Sequence, residues 1–227
     1  LLSDVERAAL LDGIARGMHV VNGLHEFLND DAEFAAAALR AGVTITDVRR
    51  PADKKDLHQF TGRIFDVTCP RIAVLGTDGA IGKRTTATLL VDALTARGIR
   101  AVLVGTGQTT IIQGGKYGVA LDALVPQFCA GEVENQVVAA WEGEDPDVII
   151  VEGQGALSHP AYLTSAYILR GSRPAGVIVQ HAPDVGRAID DYELQFGMPV
   201  TDPLTRPLDR LVDMVLRSFP AIERARV

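Results

Sequence analysis

The sequence has little cysteine, no strongly basic character and no long apolar segment. Cys69 and Cys129 are the only cysteines, and their separation fits neither a disulfide framework nor a metal site, which favours a reducing, cytoplasmic compartment. No apolar run approaches the roughly 18 residues that a membrane-spanning helix needs. Acidic residues outnumber basic ones by 29 to 22, which argues against a general nucleic-acid or anionic-membrane binder. We therefore expect a soluble protein in which a local cluster of donors binds any anionic ligand.

Apolar side chains are plentiful and are arranged in alternating helix and strand patterns. They make up 47% of the 227 residues, enough for a packed core. Ser3–Glu6 is a capping-box pattern that predicts an opening helix. Asp30 or Asp31 is expected to cap an alanine-rich helix over 32–41, and 43–48 alternates as a strand does. Because this α/β unit begins on a helix, we expect that preceding strands have been lost by truncation.

From residue 71 the alternation is more regular. Short runs of branched apolar residues predict parallel strands buried on both faces, at 71–75, 99–104, 148–151 and 176–180. Helices are expected over 83–97 and 131–142. In doubly wound sheets the ligand lies beyond the carboxyl ends of the strands. The loops that follow these strands should therefore converge on one edge, at 76–86, 105–118, 152–162 and 181–187.

The predicted fold class is α/β. A P-loop-containing doubly wound parallel sheet is expected over 69–227, preceded by a partial Rossmann-like N-terminal domain and linker over 1–68. A further strand is expected after His181, whereas 184–227 indicate two helices around a proline-rich turn. The sequence pattern changes abruptly near Glu193, and we expect that a segment is missing there.

The segment 76–86, GTDGAIGKRTT, follows a predicted strand and opens a predicted helix. Phosphate-binding loops usually read Gly-x4-Gly-Lys-Ser/Thr, in which backbone N–H groups and lysine hold phosphate and the hydroxyl binds Mg²⁺. Here Arg84 replaces the hydroxyl residue, and Thr85 lies about 100° further round the helix. The loop therefore predicts a nucleotide used as a carrier, without a metal. The candidate binding residues are Thr77, Asp78, Gly79, Ala80, Ile81, Gly82, Lys83, Arg84, Thr85 and Thr86.

Titratable and polar side chains also follow the other strands. Glu152 and His159 are the candidate catalytic residues, as base or proton shuttle, although Glu152 could instead be a helix-terminal anion and His159 a loop residue. Asp122 and Glu132 are interpreted as solvated or capping residues. His19, His25 and His58 show no metal-ligand spacing. Candidate substrate-binding residues are Gln108, Lys116 and Tyr117, for which plain turn chemistry is the alternative, together with Gln154, Tyr162 and Arg173. Arg173 could instead be a lone surface arginine.

Several of these motifs together resemble the DgcN family of P-loop proteins, which is associated with D-glutamate N-acetylation. The resemblance covers nearly the whole chain. It rests on GTDGAIGKRTT, on EGQGALSHPAY at 152–162, and on GTGQT at 105–109, YGVALD at 117–122, GSRP at 171–174 and VNGLHEFL at 21–28. It implies acetyl-CoA as co-substrate, D-glutamate as acceptor and a role in D-amino acid catabolism. The protein is expected to be a homo-oligomer.

Two alternatives remain open at this point. The phosphate loop also distantly resembles that of dethiobiotin synthetase, which would make the protein an ATP-dependent ligase or kinase with Glu152 as a metal ligand. A non-catalytic nucleotide-binding regulator is the third hypothesis. Under the acetyltransferase hypothesis the loop 76–86 holds the CoA phosphates, and Glu152 or His159 accepts the proton of the amine.

Overall fold

The computed structural model describes residues 2–157, 159, 161–181, 201–203 and 206–224. Within these ranges the strands are β1 Val20–Asn22, β2 Ile45–Asp47, β3 Arg71–Gly76, β4 Ala101–Gly105, β5 Tyr117–Gly118, β6 Val148–Glu152 and β7 Gly176–Gln180. The α-helices are α1 Asp4–Ala15, α2 Ala32–Ala41, α3 Lys83–Ala96, α4 Gln108–Ile112, α5 Pro126–Glu144, α6 Thr164–Ser172, α7 Leu208–Ser218 and α8 Ala221–Arg224. The predicted α/β class is confirmed.

All strand pairs in the described residues are parallel, and they form two sheets. β1 and β2 make a two-stranded sheet, which α1 and α2 accompany in the N-terminal unit. The other five strands form one sheet in the order β5-β4-β6-β3-β7. The strand that precedes the phosphate loop, β3, therefore lies between β6 and β7.

Side chains alternate across the five-stranded sheet and form two core layers. On β3, Ile72 and Val74 face the layer that contains α3 and α7, whereas Ala73 and Leu75 face the layer that contains α5 and α6. All four side chains are at most 1% exposed. The central strand β3 is therefore buried on both faces, as its continuous apolar sequence predicted, whereas the edge strand β7 exposes Val177 and Val179.

The caps predicted for the first two helices are confirmed. Ser3 and Glu6 form a reciprocal capping box at α1. Asp31, not Asp30, caps α2 by accepting the backbone N–H of Glu33 at 2.9 Å. The prediction for α5 was too short, because the helix already begins at Pro126, a residue whose fixed φ suits the first turn.

Two glutamates of α5 hold the segment that connects the two units. Glu132 is 6% exposed and accepts the backbone N–H of His58 at 2.7 Å. Glu134 is 3% exposed and accepts backbone N–H groups of Thr61, Gly62 and Ile64 at 2.6–3.1 Å. The interpretation of Glu132 as solvated or capping is wrong, because this carboxylate is buried and bonds a distant segment. These contacts place residues 58–64 with the P-loop unit, while the division at residue 68 stays a prediction.

The N-terminal unit also contacts the P-loop unit at α4. A Cβ on Gly23 would lie 3.0 Å from Ile112 Cδ1 and 3.6 Å from Gln108 Cγ. Arg49 forms an ion pair with Asp122, which follows β5. Asp122 is exposed, in keeping with its interpretation as a solvated residue, and it also takes part in the contact between the two units.

Some sequence predictions lie outside the described residues. They are the loop beyond His181, the strand expected after it, the helix expected from residue 184 and the missing segment near Glu193. Among the helices that the structure does describe, none combines the length and hydropathy needed to cross a membrane.

Candidate functional site

The carboxyl ends of three neighbouring strands bring the predicted loops together. β3 ends in the phosphate loop, β6 ends at Glu152, and β4 leads into α4. The register pairs Val74 of β3 with Glu152, and Val104 of β4 with Val151. Glu152 therefore lies beside the start of the phosphate loop, at the edge where doubly wound sheets bind ligands.

The phosphate loop contains two left-handed residues and a buried lysine. Ala80 and Gly82 have φ values of 53° and 92°, a conformation that lets successive N–H groups turn toward an anion. Lys83 is 5% exposed, and its Nζ donates to the Asp78 carbonyl at 2.5 Å. Burial lowers the pKa of Lys83, while the charges of Asp78 and Glu152 oppose this change. The loop thus presents a desolvated ammonium group next to backbone donors.

Gln180, at the end of β7, braces this loop. Its Oε1 accepts the Thr86 hydroxyl at 2.7 Å, and its Nε2 donates to the Ile81 carbonyl at 2.6 Å. Its backbone carbonyl accepts the N–H of Thr77 at 2.9 Å. One residue therefore bonds the beginning, middle and end of the loop.

Gln180→Leu should weaken the binding of a phosphate ligand without altering the sheet. The variant loses two side-chain hydrogen bonds worth about 0.5–1.5 kcal/mol each, so the dissociation constant should rise by about 5- to 150-fold. Calorimetric titration with acetyl-CoA measures the change. Gln127→Leu, at an exposed position of α5, is the control. Equal affinities for the two variants would contradict the bracing role.

The Glu152 carboxylate is buried and has a dedicated donor. The residue is 5% exposed, and its Oε2 accepts the hydroxyl of Thr110 at 2.5 Å. Thr106 donates to the Glu152 backbone carbonyl at 2.9 Å. Burial raises the pKa of Glu152, and the Thr110 hydrogen bond together with the charges of Arg84 and Lys83 opposes the rise. A carboxylate of raised pKa is a stronger base than an exposed one.

Thr110 is held against Glu152 by the short helix α4. Gln108 and Ile112, one helical turn apart, both face Gly23 of the N-terminal unit. Thr110 lies midway between them in sequence, about 200° round the helix, and faces Glu152. The N-terminal unit therefore packs on the helix that holds the candidate base.

His159 and Tyr162 lie in the loop that follows β6. His159 is exposed, its Nδ1 accepts the backbone N–H of Ala161 at 3.2 Å, and its ring lies 5.2 Å from that of Tyr162. Gln154 lies deeper, with Nε2 3.1 Å from where a Cβ on Gly107 would be. The structure thus brings Gln154 to Glu152 and leaves His159 at the surface.

Three predicted substrate residues lie away from Glu152. Lys116 and Tyr117 both bond Glu144, at the far end of α5. Arg173 follows α6 at the amino end of β7, where it stacks on Phe65 with 4.6 Å between guanidinium and ring centroid. Strand ends of opposite polarity lie at opposite edges of a parallel sheet. The structure therefore does not bring these three residues to the candidate site.

Thr110 and Gln180 are the site residues that the sequence motifs missed. Thr110 directly follows GTGQT, and Gln180 ends an apolar strand, so each stands next to a recognised pattern. Both could have been selected from the sequence as a hydroxyl or amide side chain that follows or ends a predicted strand at its carboxyl end. No group of three or more potential metal ligands occurs among the described residues, and the expectation of no metal stays a prediction.

Comparison with known proteins finds two domains of one family in this chain. Residues 1–51 match the N-terminal, Rossmann-like domain of the DUF1611 family, a domain of unknown function, and residues 58–190 match its P-loop domain. A crystal structure of a DUF1611 family protein from Anabaena variabilis ATCC 29413 is 28% identical and superposes with a TM-score of 0.85. The similarity covers 95% of this chain and 76% of that one.

Two curated relatives have a named activity. A protein of Tritonibacter scottomollicae named D-glutamate N-acetyltransferase is 32% identical over 197 residues, which are 85% of this chain and 56% of that protein. A protein of the same name from Pseudoalteromonas sp. is 31% identical over 172 residues, 75% of this chain and 49% of that protein. The chain spans about half the length of these curated relatives. The resemblance drawn from the motifs is confirmed, and this chain belongs to the DUF1611 family, whose members combine a Rossmann-like N-terminal domain with a P-loop domain.

Proposed function

We propose that the protein transfers the acetyl group of acetyl-CoA to the amine of D-glutamate. The observation that carries the proposal is a buried carboxylate of raised pKa, Glu152, beside a phosphate loop that has arginine in place of the metal-binding hydroxyl. The names of the two relatives supply the acceptor. A cytoplasmic role in D-amino acid catabolism and a homo-oligomeric state stay predictions.

The phosphate loop suits the pyrophosphate of CoA. Backbone N–H groups around the left-handed residues Ala80 and Gly82 would face it, and Lys83 would exchange the Asp78 carbonyl for a phosphate oxygen. Thr85 is exposed at the start of α3 and would add a hydroxyl. CoA supplies an activated thioester, and its phosphates serve only for binding.

Glu152 is the group that we propose as the base. The ammonium of an amino acid must lose a proton before its nitrogen can attack the thioester carbonyl, and a positioned base contributes typically ~10²–10⁴-fold. The nitrogen gives up two protons in all: one leaves the ammonium for solvent, and Glu152 takes the other as the carbon–nitrogen bond forms. The carbon–sulfur bond then breaks, and the proton held by Glu152 neutralises the departing thiolate. Thr110 fixes one oxygen of Glu152, and no described residue donates to the other, which is free to take the proton.

Binding titrations separate this function from its rivals. We expect the protein to bind acetyl-CoA equally well with and without Mg²⁺, and to bind ATP weakly. Tight binding of ATP that requires Mg²⁺, with no binding of acetyl-CoA, would support the ligase or kinase. Acetyl-CoA binding without turnover of any amino acid would support the regulator.

Lys83→Ala should weaken acetyl-CoA binding while the fold is retained. A hydrogen bond to a charged group is worth about 1.5–3 kcal/mol, so the dissociation constant should rise by about 10- to 150-fold. Isothermal titration measures it, and thermal unfolding checks the fold. Lys54→Ala, which removes an exposed lysine, is the control. An unchanged dissociation constant for Lys83→Ala would mean that this loop does not hold the donor.

A further inference from the structure

Arg84 has a buried guanidinium nitrogen without a partner. Its Nε lies out of contact with solvent and donates to no acceptor in the described part of the chain. The polar groups of two neighbouring side chains do have hydrogen-bond acceptors, since Lys83 donates to Asp78 and Thr86 donates to Gln180. A buried donor of this kind is costly unless a ligand completes it.

The direction of the Arg84 side chain follows from the helix that carries it. Thr86 reaches Gln180 on β7, which flanks β3 on one side. Arg84 stands two residues earlier, about 200° round α3, and so points to the other side, where β6 ends in Glu152. In agreement, the positive charge of Arg84 lowers the pKa of Glu152 more than the charge of Lys83 does.

Within the described structure the Glu152 carboxylate accepts from Thr110, and Arg84 Nε donates to no acceptor, so Nε is not engaged by Glu152. A ligand between them must offer an anion to the guanidinium and a proton-bearing nitrogen to the carboxylate. An α-amino acid carries both on one carbon atom. Guanidinium binds carboxylate through two parallel hydrogen bonds, which fixes orientation as well as position.

We propose that Arg84 binds the α-carboxylate of the acceptor amino acid and thereby holds its amine against Glu152. This inference rests on the proposed acetyl transfer and revises the expectation that Arg84 binds a phosphate of CoA. The phosphate loop then has two tasks, because its backbone and Lys83 hold the donor while Arg84 holds the acceptor.

The test compares three acceptors with wild type and Arg84→Gln. D-Glutamate, its γ-amide and its α-amide differ in which carboxylate remains. Wild type should use the α-amide at least 10-fold less well in kcat/KM than the γ-amide. Arg84→Gln should raise the KM for D-glutamate and the γ-amide by about 10- to 150-fold, the value of a charged hydrogen bond, and should abolish the preference over the α-amide. The dissociation constant of acetyl-CoA, titrated without acceptor, should change less than twofold.

The experiment distinguishes failure of the proposed function from failure of the role proposed for Arg84. If wild type acetylates no amino acid, the proposed function and this inference both fall. If wild type acetylates D-glutamate but Arg84→Gln weakens acetyl-CoA binding and keeps the preference for the γ-amide, Arg84 binds phosphate and only this inference is overturned. Arg84→Lys provides a second variant that keeps the charge. It should lose the bidentate contact and raise the KM for D-glutamate, but by less than Arg84→Gln does. Thermal unfolding of both variants confirms that they fold.

Discussion

Glu152→Gln should reduce kcat for acetyl transfer by at least ~10²-fold while the affinity for acetyl-CoA is nearly kept. The amide has the shape of the carboxylate and can still accept the Thr110 hydroxyl, but it cannot take the proton of the amine. Steady-state kinetics and titration with acetyl-CoA measure the two quantities separately. A kcat close to that of wild type would exclude Glu152 as the base and return His159 as the candidate.

The same variant should be more stable than wild type at neutral pH. The pKa of Glu152 is raised by burial, so the folded state favours the protonated carboxyl more than the unfolded state does. The ionised Glu152 therefore lowers the stability of the folded state. This loss is absent at pH values below the pKa of Glu152 in the unfolded chain and is complete above its pKa in the folded protein. Glu152→Gln removes this cost, so its gain in free energy of unfolding should be present at pH 7 and disappear as the pH falls into the ordinary carboxyl range. A gain independent of pH would show that packing, not charge, produces it.

Thr110→Val is the companion variant. The Thr110 hydroxyl stabilises the ionised form of Glu152, and its removal should raise the pKa of Glu152 further. The acidic limb of the profile of kcat/KM against pH should therefore move to higher pH. Activity at high pH should remain much closer to wild type than that of Glu152→Gln.

Glu134→Gln should cost about 2–6 kcal/mol of the free energy of unfolding. The carboxylate accepts Thr61 N–H and hydroxyl on one oxygen and two more backbone N–H groups on the other. An amide nitrogen in place of either oxygen leaves two donors without an acceptor, at about 1–3 kcal/mol for each buried group. Denaturant unfolding measures the loss.

Glu142→Gln on the same helix is the matched control. Glu142 pairs with Arg63, and both side chains are more than half exposed, so its substitution should change stability by less than ~0.5 kcal/mol. An equal loss in the free energy of unfolding for Glu134→Gln and Glu142→Gln would mean that Glu134 does not hold the connecting segment.

The parts of the fold that could be predicted are those with a local signal. The strand, loop and helix around Lys83 follow from glycine spacing and hydrophobic pattern, and α2 follows from its capping aspartate and terminal glycine. Glu152 could be selected because it stands directly after a continuous apolar strand. In each case the residues that decide the structure are within a few positions of one another.

The contacts that complete the site join residues far apart in the sequence. Thr110 bonds Glu152 across 42 positions, and Gln180 bonds Thr86 across 94. Helix α4 has only five residues, too few to show a helical period. A loop position indicates the edge of the sheet but not the direction of a side chain, which is why Lys116 and Tyr117 were predicted at the site although they bond Glu144.

The central claim is tested most directly by the products formed from acetyl-CoA and D-glutamate. Purified protein should release free CoA and N-acetyl-D-glutamate in equal amounts, without ATP or Mg²⁺, as measured by thiol titration and mass spectrometry of the same sample. Glu152→Gln, added at the same concentration, should form at least ~10²-fold less of both per unit time. Release of CoA without an acetylated amine, or no reaction until ATP and Mg²⁺ are supplied, would contradict the account.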